Sequence, residues 1–172
     1  MFKENIIIRT AEPKDATKIL QIQKEVVAEG VYLTTSTEEF NKTVDQQREW
    51  MDKILHNHQE TMLVAETSKG VVGWIVFLSQ NRIKLSHTGS IGMMIEKECR
   101  GLGIGKLLIK ELLNWAALNP FIEKVSLGVF STNESAIALY KKMGFVEEGR
   151  KIKEFKMEDG KYVDDILMYK FV

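Results

Sequence analysis

The chain is poor in the residues that staple, stiffen or anchor a protein. It has one cysteine, Cys99, among 172 residues, which excludes an internal disulfide and lacks the partners of a thiolate metal site. It has two prolines, Pro13 and Pro120, and no repeats, low-complexity segments or linkers, so one domain spanning residues 1–172 is expected. It lacks net charge: 24 basic residues offset 24 acidic ones, and no global field draws it to nucleic acid or to an anionic membrane surface. No apolar run reaches membrane-spanning length. The N-terminus, Met1-Phe2-Lys3-Glu4-Asn5, leads into Ile6-Ile7-Ile8, too brief for the core of a signal peptide. A cytoplasmic protein binding neither nucleic acid nor membrane is the expectation. His56 and His58 stand two apart, the wrong spacing for one helical face, so no metal site is expected.

What is present is an ordinary soluble composition, 44% hydrophobic and 28% charged, with clear changes of period. Ile6 to Thr10 reads as a strand. Pro13 opens a helix whose Ala16, Ile19, Leu20, Gln23, Val26 and Val27 share a face and which Gly30 stops. A second helix is predicted from Thr37 to Asn57, opened by Thr37-Glu38-Glu39-Phe40. Thr61 to Thr67 and Val71 to Leu78 read as a hairpin about Ser68-Lys69-Gly70, and Thr88 to Ile95 as the next strand. Ile104, Leu107, Leu108, Leu112, Trp115 and Ala116 form a helical face that Asn119-Pro120 closes. Lys124 to Val129 is a strand, residues 133–143 a short helix, and Gly149 to Lys156 with Tyr162 to Phe171 a closing hairpin about Asp159-Gly160. The predicted order is β-α-α-β-β-β-α-β-α-β-β, an α/β fold.

Between the Thr88–Ile95 strand and the following helix lies Arg100-Gly101-Leu102-Gly103-Ile104-Gly105-Lys106. Without Cβ atoms the backbone can turn tightly and present several N–H groups, and the helix aims its positive dipole end at the same point. Such a cluster can grip phosphate; a tight strand-to-helix turn with no ligand is the alternative. The dinucleotide spacing G-x-G-x-x-G/A fails in both registers, with Leu108 or Lys106 at the third position. The nucleoside-triphosphate loop fails too, with Arg100 where its first glycine belongs and Leu107 where its hydroxyl belongs.

The spacing that does fit is Arg100-x-x-Gly103-x-Gly105 preceded by Ile91-Gly92-Met93-Met94-Ile95. Thirty residues past Gly103 comes a second motif, Asn133-x-x-Ala136-x-x-x-Tyr140-x-x-x-Gly144-Phe145. The pair resembles the GNAT superfamily of N-acetyltransferases, and the element order is similar to that fold over nearly the whole chain. Gly144-Phe145-x-Glu147-Glu148-Gly149-Arg150 and Asp159-Gly160-x-Tyr162-x-Asp164 resemble the branch holding ribosomal-protein N-terminal, spermidine and phosphinothricin-type acetyltransferases. The resemblance implies a mixed sheet with helices on both faces, acetyl-CoA as co-substrate, no metal, and an amine acceptor, either a small molecule or a peptide N-terminus.

It also implies roles. The backbone of Met93, Met94 and Ile95 holds the pantetheine arm. Main-chain N–H groups from Arg100 through Gly101, Leu102, Gly103, Ile104 and Gly105 to Lys106 hold the pyrophosphate. Asn133 and Ser135 lie beside the pantetheine arm, Lys142 reaches toward the 3′-phosphate, and Tyr140 is the general acid for the departing thiolate, an ordinary phenol pKa near ~10 being close to that of a thiol. Many members carry a glutamate base eleven residues ahead of the motif's Arg; here that position is Gly89. His87 is the nearest titratable group on that strand. Deprotonation through water or binding of a neutral amine is the alternative, and a non-catalytic acyl-CoA-binding module of the same fold is the competing reading. Glu29 and Tyr32 are the candidate acceptor residues. Asp164 and Asp165 point to opposite faces of a strand and read as solvated edge charges, a functional role for one of them being the alternative. A homodimer is left open.

Overall fold

The structure, a computed structural model, describes residues 5–172. Residues 1–4, part of the segment read as too short for a leader, lie outside the described residues. The strands are β1 (Ile7–Thr10), β2 (Thr61–Thr67), β3 (Gly70–Ser79), β4 (Thr88–Ile95), β5 (Lys124–Phe130), β6 (Val146–Lys156) and β7 (Tyr162–Phe171); the helices are α1 (Ala16–Glu29), α2 (Val44–Leu55), α3 (Ile104–Leu118) and α4 (Glu134–Lys142). The strands form a seven-stranded sheet in the order β1-β2-β3-β4-β5-β7-β6. Neighbours run antiparallel except β4 and β5, which run parallel. The element order is the one predicted.

Helices cover both faces, and each face has its own core. On one, Ile19 and Ile22 of α1 and Met51 and Ile54 of α2 pack on Val64, Trp74 and Val76. On the other, Leu108, Ile109, Leu112 and Ala116 of α3, all fully buried, pack on Ile75, Phe77, Val125 and Leu127. At ~1.5–3 kcal/mol per fully buried large aliphatic side chain, α3 is held by its apolar stripe rather than by helix propensity. Arg9 ties β1 to the start of α1 through two hydrogen bonds to Asp15, 2.8 and 3.0 Å.

Three predicted bounds are corrected. Pro13–Asp15 is a 3-10 turn and α1 proper begins at Ala16. The second helix starts at Val44 instead of Thr37, because Glu39 turns back to accept from the N–H and hydroxyl of Ser36, closing a local turn. The true start carries a reciprocal cap between Thr43 and Gln46, a Thr-x-x-Gln signature present in the sequence. The strand predicted from Gly149 begins at Val146, since the ladder to β7 runs on through a register shift between Glu147 and Gly149 that leaves Glu148 as the extra residue, with Gly149 paired to Leu167.

Candidate active site

The parallel pair β4–β5 is joined only over Thr88–Ser90 and Lys124–Ser126. Beyond Ser90 the strands separate, and a cavity of about 820 Å³ opens between them. The β3–β4 register decides which main-chain groups β4 offers there. The N–H of Glu96 donates to the carbonyl of Val72 and that of Gln80 to Thr88. Hydrogen-bonded pairs alternate along an antiparallel ladder, so Ser90, Gly92 and Met94 turn their main-chain groups to β3. Ile91, Met93 and Ile95 turn theirs toward the opening. Of the three residues implied for the pantetheine arm, Met93 and Ile95 thus offer backbone to the cavity, while Met94 lines it from the α1–α2 face.

The Arg100–Lys106 loop closes one end. Gly101 and Gly103 have φ of 75° and 85°, left-handed conformations that favour glycine. Gly105 is needed for a different reason: a Cβ there would lie 3.1 Å from Leu139 Cδ2 and 3.3 Å from Met93 Cε. Gly103 is the N-cap of α3 and supplies no side-chain acceptor, so the first N–H groups of the helix are left for a ligand. Arg100, Gly101, Gly103, Ile104, Gly105 and Lys106 line the cavity; Leu102 does not, and its side chain points mostly to solvent, 61% exposed. The guanidinium of Arg100 faces inward to the protein, donating Nε to the carbonyl of Ile95 (3.0 Å) and its two terminal nitrogens to Glu29 (2.7 and 2.6 Å).

α4 forms the other wall. Asn133 caps it, its Oδ1 accepting from the N–H of Ala136 (3.3 Å) and the hydroxyl of Ser135 (3.3 Å). Asn133, Ser135, Tyr140 and Lys142 all line the cavity. Tyr140 packs edge-on against Phe145, ring centroids 5.8 Å apart. Burial pushes its phenol up to about 12, because the phenolate would lose its hydration.

The acceptor and base positions fall out differently. Glu29 and Tyr32 line the cavity, but both carboxylate oxygens of Glu29 are taken by Arg100, whose hydrogen bonds hold that carboxyl below its ordinary range. His87 lies at the closed end of the β4–β5 pair, where its carbonyl accepts from the N–H groups of Glu123 and Lys124, and it is not among the cavity residues. Gly89 has no room for a side chain: a Cβ would stand 2.3 Å from Phe77 Cζ and 2.5 Å from the Leu78 carbonyl oxygen. That space is filled by the Phe77 ring, itself packed on Trp115 at 5.4 Å. Of the two aspartates read as edge charges with a functional role for one as the alternative, Asp165 is 9% exposed and lines the cavity. Only the antiparallel partnership with β5 carries it there, a long-range contact with no local signal. Among the described residues no group of three or more His, Cys, Asp and Glu side chains could hold a metal ion, and no helix is long and apolar enough to cross a membrane.

A mixed sheet opened between two parallel strands, with a glycine loop feeding a helix at the opening, is the architecture that the paired sequence motifs imply. The chain belongs to the Acetyltransferase (GNAT) family, which matches residues 28–145. It is 28% identical over 169 residues to the L-amino acid N-acetyltransferase AaaT of Escherichia coli (strain K12), covering 95% of this chain and 96% of that one. Its structure is similar to the acetyltransferase of GNAT family from Streptococcus pneumoniae, with a TM-score of 0.92 and 27% identity over 98% of this chain and 100% of the other. It is also similar, with a TM-score of 0.84 and 25% identity over 97% and 88% of the chains, to a GNAT superfamily phosphinothricin acetyltransferase from Sinorhizobium meliloti in complex with AcCoA.

Proposed function

We propose that the protein transfers the acetyl group of acetyl-CoA to a primary amine of a small molecule or a peptide N-terminus, by direct attack in a ternary complex. The observation that carries this reading is the convergence in one cavity of the open backbone of Met93 and the N–H of Ile95, the uncapped start of α3 and the Tyr140 phenol. The chain's residues fit acetyl-CoA as a substrate. The N–H groups from Gly101 to Lys106 hold the pyrophosphate, with Lys106 and Lys142 adding positive charge at the rim. Met93 and Ile95 pair with the pantetheine amides as a neighbouring strand would. Asn133 is committed through Oδ1 to capping α4, which leaves its amide NH₂ as the group that can meet the pantetheine arm.

The amine attacks the thioester carbonyl, and a main-chain N–H from the open edge of β4 stabilises the negative charge that develops on oxygen. The sulfur departs beside Tyr140. With its pKa at about 12, the phenol is fully protonated at neutral pH and serves as a hydrogen-bond donor. Complete transfer to an ordinary thiolate, whose acid has a pKa near ~8.5, is uphill. The desolvation that raises Tyr140 raises the leaving thiol as well, which narrows the gap. Tyr140 therefore stabilises the thiolate first, and the proton that finally resides on sulfur comes from the attacking nitrogen. No serine or cysteine nucleophile is required.

The test is calorimetric titration with acetyl-CoA, NAD and ATP, followed by thiol release with polyamines, amino acids, aminoglycosides and peptides. Binding of acetyl-CoA alone, with thiol release on at least one amine, is the expected result. Absence of acetyl-CoA binding rejects the reading; binding with no transfer to any amine favours a non-catalytic acyl-CoA module.

A further inference from the structure

The cavity has two acidic side chains in its lining, Glu29 and Asp165. Glu29 is spent on Arg100 through both oxygens. Asp165 lies on β7 opposite Phe130 of β5 and Lys151 of β6, on the face away from the Val129–Ile166 core pair, and therefore on the α1–α2 side of the sheet. Its carboxylate reaches over β5: a Cβ on Gly128 would sit 2.8 Å from Oδ1. Extending the Ser90–Ser126 pairing by two residues sets Gly92 across the gap from Gly128. A Cβ on Gly92 would meet nothing closer than Val76 Cγ1 at 3.7 Å. Gly128 thus leaves the space that the Asp165 carboxylate occupies, and Gly92 leaves open space on the facing strand.

We propose that Asp165 receives the acceptor's ammonium and takes its first proton, the task for which Gly89 leaves no residue, and that the acceptor is a cationic primary amine on an apolar stem. This rests on the acetyl-transfer reading above. The stem is specified by Phe130, stacked on Phe155 at 4.2 Å beside Asp165, and by Val31 and Leu33 across the cavity. The groups facing Asp165 are few. Lys151 from β6 forms a partly exposed ion pair with it, Nζ 3.7 Å from Oδ2, which an arriving ammonium displaces. Phe130 and Gly128 from β5 carry no charge. Asp164 points to the other face and accepts from the N–H of Lys153.

Protons balance. One passes from RNH₃⁺ to Asp165. The neutral nitrogen then forms the C–N bond, the C–S bond breaks, and the second proton passes from nitrogen to sulfur. Asp165 afterwards returns its proton to water, and the products are the amide, CoA thiol and one H⁺.

The experiment compares wild type, Asp165→Asn and Asp165→Glu on two probes with the same stem: phenethylamine, cationic at neutral pH, and 2,2-difluoro-2-phenylethylamine, whose fluorines keep much of it neutral. Asp165→Asn is expected to lower kcat/KM for phenethylamine roughly 100-fold, the ordinary yield of a positioned base, with little loss on the fluorinated amine. Asp165→Glu is expected to recover part of that activity, and calorimetry to find acetyl-CoA binding unchanged in both variants. Equal loss on the two amines, or no loss on either, overturns the assignment, as does a wild type that binds acetyl-CoA yet leaves phenethylamine unacetylated. A wild type that fails to bind acetyl-CoA rejects the acetyl-transfer reading itself, a separate outcome.

Discussion

On the side of the cleft made by β4 and the Arg100–Lys106 loop, the groups turned to a ligand are main-chain N–H and C=O, exposed because Gly101 and Gly103 adopt left-handed φ and Gly105 lets Leu139 and Met93 come close. On the side made by β5, β7 and residues 31–34 they are side chains: Asp165, Phe130, Tyr32. A main-chain cradle depends on where side chains are missing, and few substitutions leave it intact. A side-chain surface can change its clientele one residue at a time. On the proposed reading the first side takes the donor, and the second, the acceptor half, is where this protein's own specificity is expected.

Three substitutions would break or sharpen that division. The largest effect is expected from Gly89→Glu, which places a carboxylate where the family resemblance implies a base. The Phe77 ring and the Leu78 carbonyl occupy that space, so overpacking and a stranded charge should cost on the order of 3 kcal/mol in urea denaturation. Turnover should not rise, because position 89 turns to the α3 face instead of the acceptor side. A stable, faster variant would show that the acceptor half can be reached from that face after all.

Next comes Tyr140→Phe. Loss of the donor to the thiolate should lower kcat about 100-fold, with the acetyl-CoA Kd unchanged and Phe145 still packed on the ring. Should the KM for the amine rise instead while kcat holds, Tyr140 belongs to the acceptor half. The smallest effect is expected from Glu29→Gln. The Glu29–Arg100 pair is partly exposed, 26% and 39%, so it should contribute under ~1 kcal/mol at neutral pH. Hydrogen bonds from Arg100 lower the folded-state pKa of Glu29 beneath its ordinary 4.5, so the contribution is full above 4.5 and fades as the pH falls through the folded value. The Tm difference between wild type and variant should shrink over that acidic window. Acetyl-CoA affinity should barely change if main-chain groups hold the phosphates; a large loss would make Arg100 a direct ligand.

Local patterns made most elements legible. The bounds of β2, β4 and β7 are the predicted ones, because Thr61, Thr88 and Tyr162 each follow turn residues and open alternating or β-branched runs. The start of α2 was harder to place, since Thr37-x-x-Phe40 imitates a helix opening while Ser36 and Glu39 bond to each other, and side chain competing with backbone is invisible in an apolar count. The glycine loop was legible because its requirement is conformational and contiguous. Arg100, by contrast, was placed by its motif beside phosphate, and its partnership with Glu29 spans 71 positions in the chain.

The sequence by itself determined the order of elements, the glycine loop and the helix that bears Tyr140, all features that a residue's near neighbours dictate through φ preference, hydrophobic period and capping. Tertiary structure alone decided which side chains the proposed acceptor side presents. It placed His87 at the closed end of the strand pair, filled the space at Gly89 with Phe77, tied Glu29 to Arg100 and carried Asp165 over Gly128. Which carboxylate is spent and which faces the cavity depends on strand order and register, and those are set by how the two cores pack on either face of the sheet.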